Sequence, residues 1–159
     1  MIINRQQRVR VSIRELEKFL ARAGRQLRIN TNTLTVCLVT NAEIARWNRA
    51  YRGKAGPTDV LSFPMERAER MRGGQHRGRR LRRPELAASP RPSTRYLGDI
   101  AIAPAVARRN ARRFGRTFEE EMRILILHGI LHLMGYDHET DQGQMDRREQ
   151  KLRRALKLG

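Results

Sequence analysis

Cysteine is all but missing from this chain: Cys37 is the only one, so no intrachain disulfide can form, which suits a reducing compartment. It sits in "TLTVCLVT", a strand-like run where a thiol reads as core packing. Aromatic residues are scarce at 5%, which argues against a platform of stacked bases as the main mode of nucleic-acid contact. No apolar run approaches the roughly 20 residues needed to span a bilayer. The N-terminal "MIINRQQRVR" lacks the apolar core of a signal peptide. A soluble, cytoplasmic protein without a membrane partner is therefore expected. Acidic residues are also few, 16 Asp+Glu against 34 Lys+Arg, which leaves a net charge of +18. Nearly all the basic residues are arginine. Such an excess speaks about partners rather than fold. Phosphate polyanions are its natural counterpart, with binding that weakens steeply as salt rises. Genomic bias toward arginine is the bland alternative, but the acidic residues have not risen in step.

What is present reads as strands interleaved with helices. "MIIN" begins a short strand. "SIRELEKFLARAGRQ" follows as a helix, with Ser12 and Glu15 placed for a capping box and Ile13, Leu16, Leu20 and Ala23 on one face. "TLTVCLVT" (33–40) is β-rich. Thr40 and Glu43 repeat the capping signal, and Ile44, Trp47 and Tyr51 form the stripe of a second helix. The loop "RGKAGPTD" leads to a short strand, "VLSF" (60–63). "YLGDIAIA" (96–103) reads as another strand, and Pro104 opens a helix that runs to about Phe114, with Gly115 as its stop. "TFEEEMRILILHGILHLM" is the longest helical signal. Thr117 and Glu120 cap it, Glu119 to Glu121 suit its positive end, and its second half is apolar nearly all round, so it should run through the centre of the fold. Asp141 with Gln144 starts a last helix whose Met145, Leu152 and Leu156 face inward. The expectation is one domain over residues 1–159, α/β or α+β, with a small mixed sheet packed by helices around that central, metal-bearing helix.

Residues 66–96 break the pattern. Glycine pairs, prolines and arginines without apolar periodicity make this a basic, flexible insertion. It reads equally as an arm that holds RNA or as a solvated excursion. His76, inside it, reads as a bystander.

The remaining three histidines stand together in "HGILHLMGYDH" (128–138). Residues four apart on a helix share a face, so His128 and His132 can share one ion. Gly135 can take a left-handed conformation and end the helix. His138 can then return from the loop as a third ligand. Three imidazoles with one open position is the pattern of a catalytic zinc site, able to activate a bound water. Zinc suits the ligands, though nickel or copper fits the same donors. Gly129 occupies the slot where a zinc protease of similar spacing keeps its glutamate base. Its presence argues against peptide cleavage, and it is expected to leave room beside the ion for a nucleotide.

At these residues the chain resembles the YbeY family, bacterial rRNA maturation factors described as zinc-dependent endoribonucleases. "WNRAYRGKAGPTDVLSFP" (47–64) resembles the family's N-x2-Y-R-x-K-x2-P-T-D-V-L-S-F-P block, and "LGDIAI" (97–102) resembles a third motif. The insertion is longer than the short link expected in the family. The resemblance implies His128, His132 and His138 as zinc ligands and Arg52 as the functional arginine near the metal cleft. A guanidinium there can clamp a phosphate and offset charge in a phosphoryl transition state. Asp137 can orient a histidine, handle a proton or simply form the turn. Asp59 and Asp99 read as braces of loop and sheet.

The function so implied is single-strand-specific endoribonuclease action in 16S rRNA 3′-end maturation and late ribosome quality control. Its partners would be rRNA, the small ribosomal subunit and single-stranded RNA. The nucleophile is either metal-bound water or the RNA 2′-hydroxyl. Two other readings stand beside it: an rRNA-binding assembly factor with a structural zinc, and a zinc peptidase, which Gly129 disfavours.

Overall fold

Four strands and five α-helices form along residues 1–65, 96–137 and 139–158, the residues described in the computed structural model, with the last three helices following the last strand. The strands β1 (Ile2–Asn4), β2 (Leu34–Leu38), β3 (Val60–Pro64) and β4 (Gly98–Ile102) lie in the order β1-β2-β4-β3. The first three in that order run parallel, and β3 closes the edge antiparallel to β4. The mixed α/β class expected from the sequence is what forms. The insertion, apart from Tyr96, lies outside the described residues.

Strand side chains alternate between faces, so the sheet sorts its own core. Leu34, Val36, Leu38, Ile100 and Ile102 face one way, into the larger apolar cluster. Cys37 and Ala101 face the other way, joining Leu61 and Ile44. Burial raises the Cys37 thiol to about 11, which keeps it neutral and unreactive at ordinary pH. Thr35 and Asp99 are cross-strand partners, and Tyr96 bridges them with 2.6 Å hydrogen bonds to each. Asp99 is therefore a brace, as expected. Asp59 is another, accepting from the Val60 amide at 2.9 Å and from Asn110 at 2.9 Å.

Helix α1 (Ile13–Leu27) buries Leu16, Phe19, Leu20 and Ala23. Its expected capping box forms by half. Ser12 accepts from the Glu15 amide at 3.4 Å, while the Glu15 carboxylate turns to Lys18 at 2.7 Å, a hydrogen bond that holds its pKa below the usual range. Helix α2 (Asn41–Arg52) has its complete Thr40–Glu43 box and ends at Gly53, φ 66°, a left-handed position that suits glycine. Helix α3 (Pro104–Arg113) opens on Pro104, as expected.

Helix α4 (Phe118–Leu133) begins at a complete Thr117–Glu120 box. It is buried along nearly its whole length, including Met122, Leu125, Ile126, Leu127, Ile130 and Leu131, and packs on α3, β3 and β4. Its central position is thus as expected. Helix α5 (Gln144–Ala155) departs slightly from expectation. Gly143 is the capping position, and Asp141, two residues earlier, supplies the side chain, accepting from the amides of Gly143, Gln144 and Met145 at 2.7, 3.1 and 2.7 Å. Met145, Leu152 and Leu156 are buried and dock α5 on the core. Among the described residues no helix is long and apolar enough to cross a membrane.

Candidate metal centre and phosphate-binding loop

The helical period brings His128 and His132 together near the C-terminal end of α4. Their Nε2 atoms are 3.1 Å apart and the rings meet nearly edge to face at 73°. Two imidazole nitrogens, each ~2.0–2.1 Å from one tetrahedral ion, lie about 3.3 Å apart. The donor pair therefore fits a small divalent cation with little adjustment. The opposite nitrogen of His128, Nδ1, lies 2.8 Å from Oε2 of Glu149 on α5, and Arg153 Nη1 lies 3.8 Å from the other oxygen of that carboxylate. His138, the third expected ligand, lies outside the described residues, and among the described residues no group of three ligating side chains is complete.

After α4 the chain turns at Gly135, whose φ of 95° is the left-handed conformation expected there. The Tyr136 amide reaches back to the Leu131 carbonyl at 3.1 Å. Asp137 then shapes the turn. Its Oδ1 accepts from the Glu139 amide at 3.0 Å, and its carbonyl accepts from the amides of Thr140 and Asp141 at 3.1 and 2.9 Å. Turn formation, one of the three roles open to Asp137 in the sequence, is thus seen. A cleft of about 670 Å³ opens beside this loop, lined by Tyr136, Asp137, Thr140 and Gln144 among others.

Arg52, the last residue of α2, crosses to the same loop. Its Nη2 lies 2.9 Å from Oε1 of Glu139, and Lys54 Nζ approaches that oxygen at 3.8 Å. The side chains of Arg52 and Glu139 are 37% and 56% exposed, so the pair is worth only ~0.2–1 kcal/mol and a phosphate can displace the carboxylate. The guanidinium is thus held beside the loop that carries His138 without being locked there.

Gly129 has a different reason from the one its sequence suggested. A Cβ there would meet Ile100 of β4, at 2.7 Å from Cγ2 and 2.9 Å from Cδ1. Glycine at 129 lets α4 lie against the sheet rather than clearing space for a nucleotide. A glutamate in that slot would be driven into β4, so the protease-type base has no place here.

Sequence reasoning missed Glu149 and Glu139. A readable signal existed for Glu149: it falls between Met145 and Leu152 on the inward stripe of α5, where a charge demands a partner. Nothing in the spacing marks Glu139, because its partner Arg52 is 87 residues away.

The family model described as "Endoribonuclease YbeY" matches residues 1–157. Curated relatives named "Endoribonuclease YbeY" include those of Koribacter versatilis, 36% identical over 99% of this chain and 86% of the relative. That of Solibacter usitatus is 42% identical over 74% of this chain and 62% of the relative. Among solved structures, the solution structure of a Thermotoga maritima protein is similar at a TM-score of 0.53 and 26% identity, covering 98% of this chain and 89% of that one.

Proposed function

Since the chain belongs to the YbeY endoribonuclease family, we propose that it is a metal-dependent endoribonuclease of single-stranded RNA, acting in 16S rRNA 3′-end maturation and late ribosome quality control. In this reading residues 1–159 form one cytoplasmic domain with a basic insertion, and the partners are rRNA and the small ribosomal subunit. The observation that carries the chemistry is the convergence of two imidazole nitrogens at 3.1 Å on the central helix, beside a loop that also engages Arg52.

His128, His132 and His138 would hold the ion, zinc by donor type. When bound, the ion supplies Lewis-acid charge next to the scissile phosphate. Arg52 exchanges Glu139 for a phosphate oxygen, orients the RNA and neutralises charge that grows in the transition state. Asp137 holds the turn of the loop that follows α4. The high positive charge draws the RNA backbone in from solution, so affinity falls steeply between low and moderate salt.

The test is metal analysis of the purified protein with cleavage assays on RNase-free wild type, Arg52→Ala and His132→Ala. Stoichiometric zinc, with cleavage lost in both variants, supports the reading. A product ending in a 2′,3′-cyclic phosphate would identify the RNA 2′-hydroxyl as nucleophile. Normal rRNA binding by a folded His132→Ala variant, with no metal-dependent cleavage by wild type, would instead make the protein a binding factor with a structural metal. Gly129 packed on Ile100 leaves the peptidase reading without a base.

A further inference from the structure

We propose that Glu149 is the positioning residue of the imidazole pair, so that metal affinity and the docking of α5 on α4 are one coupled property; this rests on the metal-site reading above. A carboxylate only accepts hydrogen bonds, so Nδ1 of His128, 2.8 Å from Glu149 Oε2, is the nitrogen that carries the proton. The neutral ring then has its lone pair on Nε2, the atom 3.1 Å from His132 Nε2. Glu149 thereby selects both the tautomer and the ring orientation that a shared cation requires.

Glu149 is itself restrained. Arg153, one helical turn further along α5, lies 3.8 Å from Oε1, and the side chains of Glu149 and Arg153 are only 15% and 20% exposed. The backbone beneath is fixed by Asp141 at the start of α5 and by buried Met145, Leu152 and Leu156. The carboxylate is therefore delivered to His128 by a packed helix rather than by a surface side chain free to choose other partners. Anything that binds only the assembled arrangement stabilises all of it, so a cation on His128 should also protect α5.

The experiment measures zinc affinity by chelator competition for wild type, Glu149→Ala, Glu149→Gln and His128→Ala. Histidine nitrogen NMR of the metal-free proteins reads the His128 tautomer, and circular dichroism monitors the fold. Loss of the carboxylate in Glu149→Ala is expected to weaken zinc by about 10–100-fold. Glu149→Gln, isosteric and still able to accept through its amide oxygen, should fall between that variant and wild type. Metal-free wild type should show the proton on Nδ1, and Glu149→Ala should shift it toward Nε2. Zinc should slow amide exchange in α5 of wild type and do so less in Glu149→Ala. Wild-type zinc affinity and an unchanged tautomer in folded Glu149→Ala or Glu149→Gln would overturn the inference. Should Glu149→Ala fail to fold, the glutamine variant decides by the same two readings. Equal zinc binding by wild type and His128→Ala would sink the metal-site reading instead, and the metal-free tautomer would still decide whether Glu149 positions the ring.

Discussion

His128 and Arg52 stand on opposite kinds of scaffold. His128 rises from α4, which is buried almost end to end, and its ring is held from behind by a carboxylate on a second packed helix. Arg52 ends α2, whose buried residues are only Ile44 and Asn48, and its partner is an exposed glutamate on a loop. The His128 and His132 imidazoles thus sit on a framework fixed by the core. The guanidinium stays adjustable, in high dielectric, where Coulomb attraction is weak and salt-screened. A rigid donor set suits a cation that demands fixed geometry. A mobile cationic side chain suits a polymer whose phosphates must enter and leave.

The largest effect that tests this contrast is loss of a ligand. His132→Ala should lower zinc affinity by more than the ~100-fold upper range for an outer partner, whereas Arg52→Ala should leave metal content unchanged and reduce RNA cleavage and binding. Metal titration beside RNA binding on the same preparations checks both halves, and equal metal loss in the two variants would erase the distinction. Gly129→Ala comes next. Its added methyl presses on buried Ile100, so a loss of about 1–3 kcal/mol is expected in denaturant unfolding. Thr117→Ala should cost about 1 kcal/mol by removing the cap of the rigid helix. The same cap has a pH signature. Hydrogen bonds from the Thr117 amide and then its hydroxyl hold the Glu120 carboxyl below its usual range. Glu120 therefore contributes above the ordinary glutamate value of about 4.3 and ceases to as pH falls through the lower folded value, which an acid titration of helix stability will read. The smallest effect belongs to the loop. Glu139→Gln removes the carboxylate that competes for Arg52, so RNA affinity at low salt should rise by about 1.4- to five-fold, matching a pair worth ~0.2–1 kcal/mol, with stability unchanged.

Local chemistry made much of this legible. The Thr40–Glu43 and Thr117–Glu120 boxes form as written because their partners are three residues apart. The His128–His132 pair converges because four residues are about one helical turn. Gly135 ends α4 because it alone tolerates the required backbone without strain. The family was legible as well, through long ordered motifs whose assignment the full-length match bears out. Where a competing neighbour sat equally close, the local reading slipped: Glu15 chose Lys18 over its capping role. Gly129 slipped for another reason, since its role depends on a strand it does not adjoin in sequence.

Periodicity and short-range hydrogen bonding settled the elements, their ends and the face on which two imidazoles meet, because those depend on backbone geometry within one or two turns. Only the packed fold decided that Glu149 backs His128, that Glu139 holds Arg52 and that Gly129 lies against Ile100. Each of these joins segments whose approach is set by how helices and sheet bury their apolar faces, a condition on the whole chain that no local window contains.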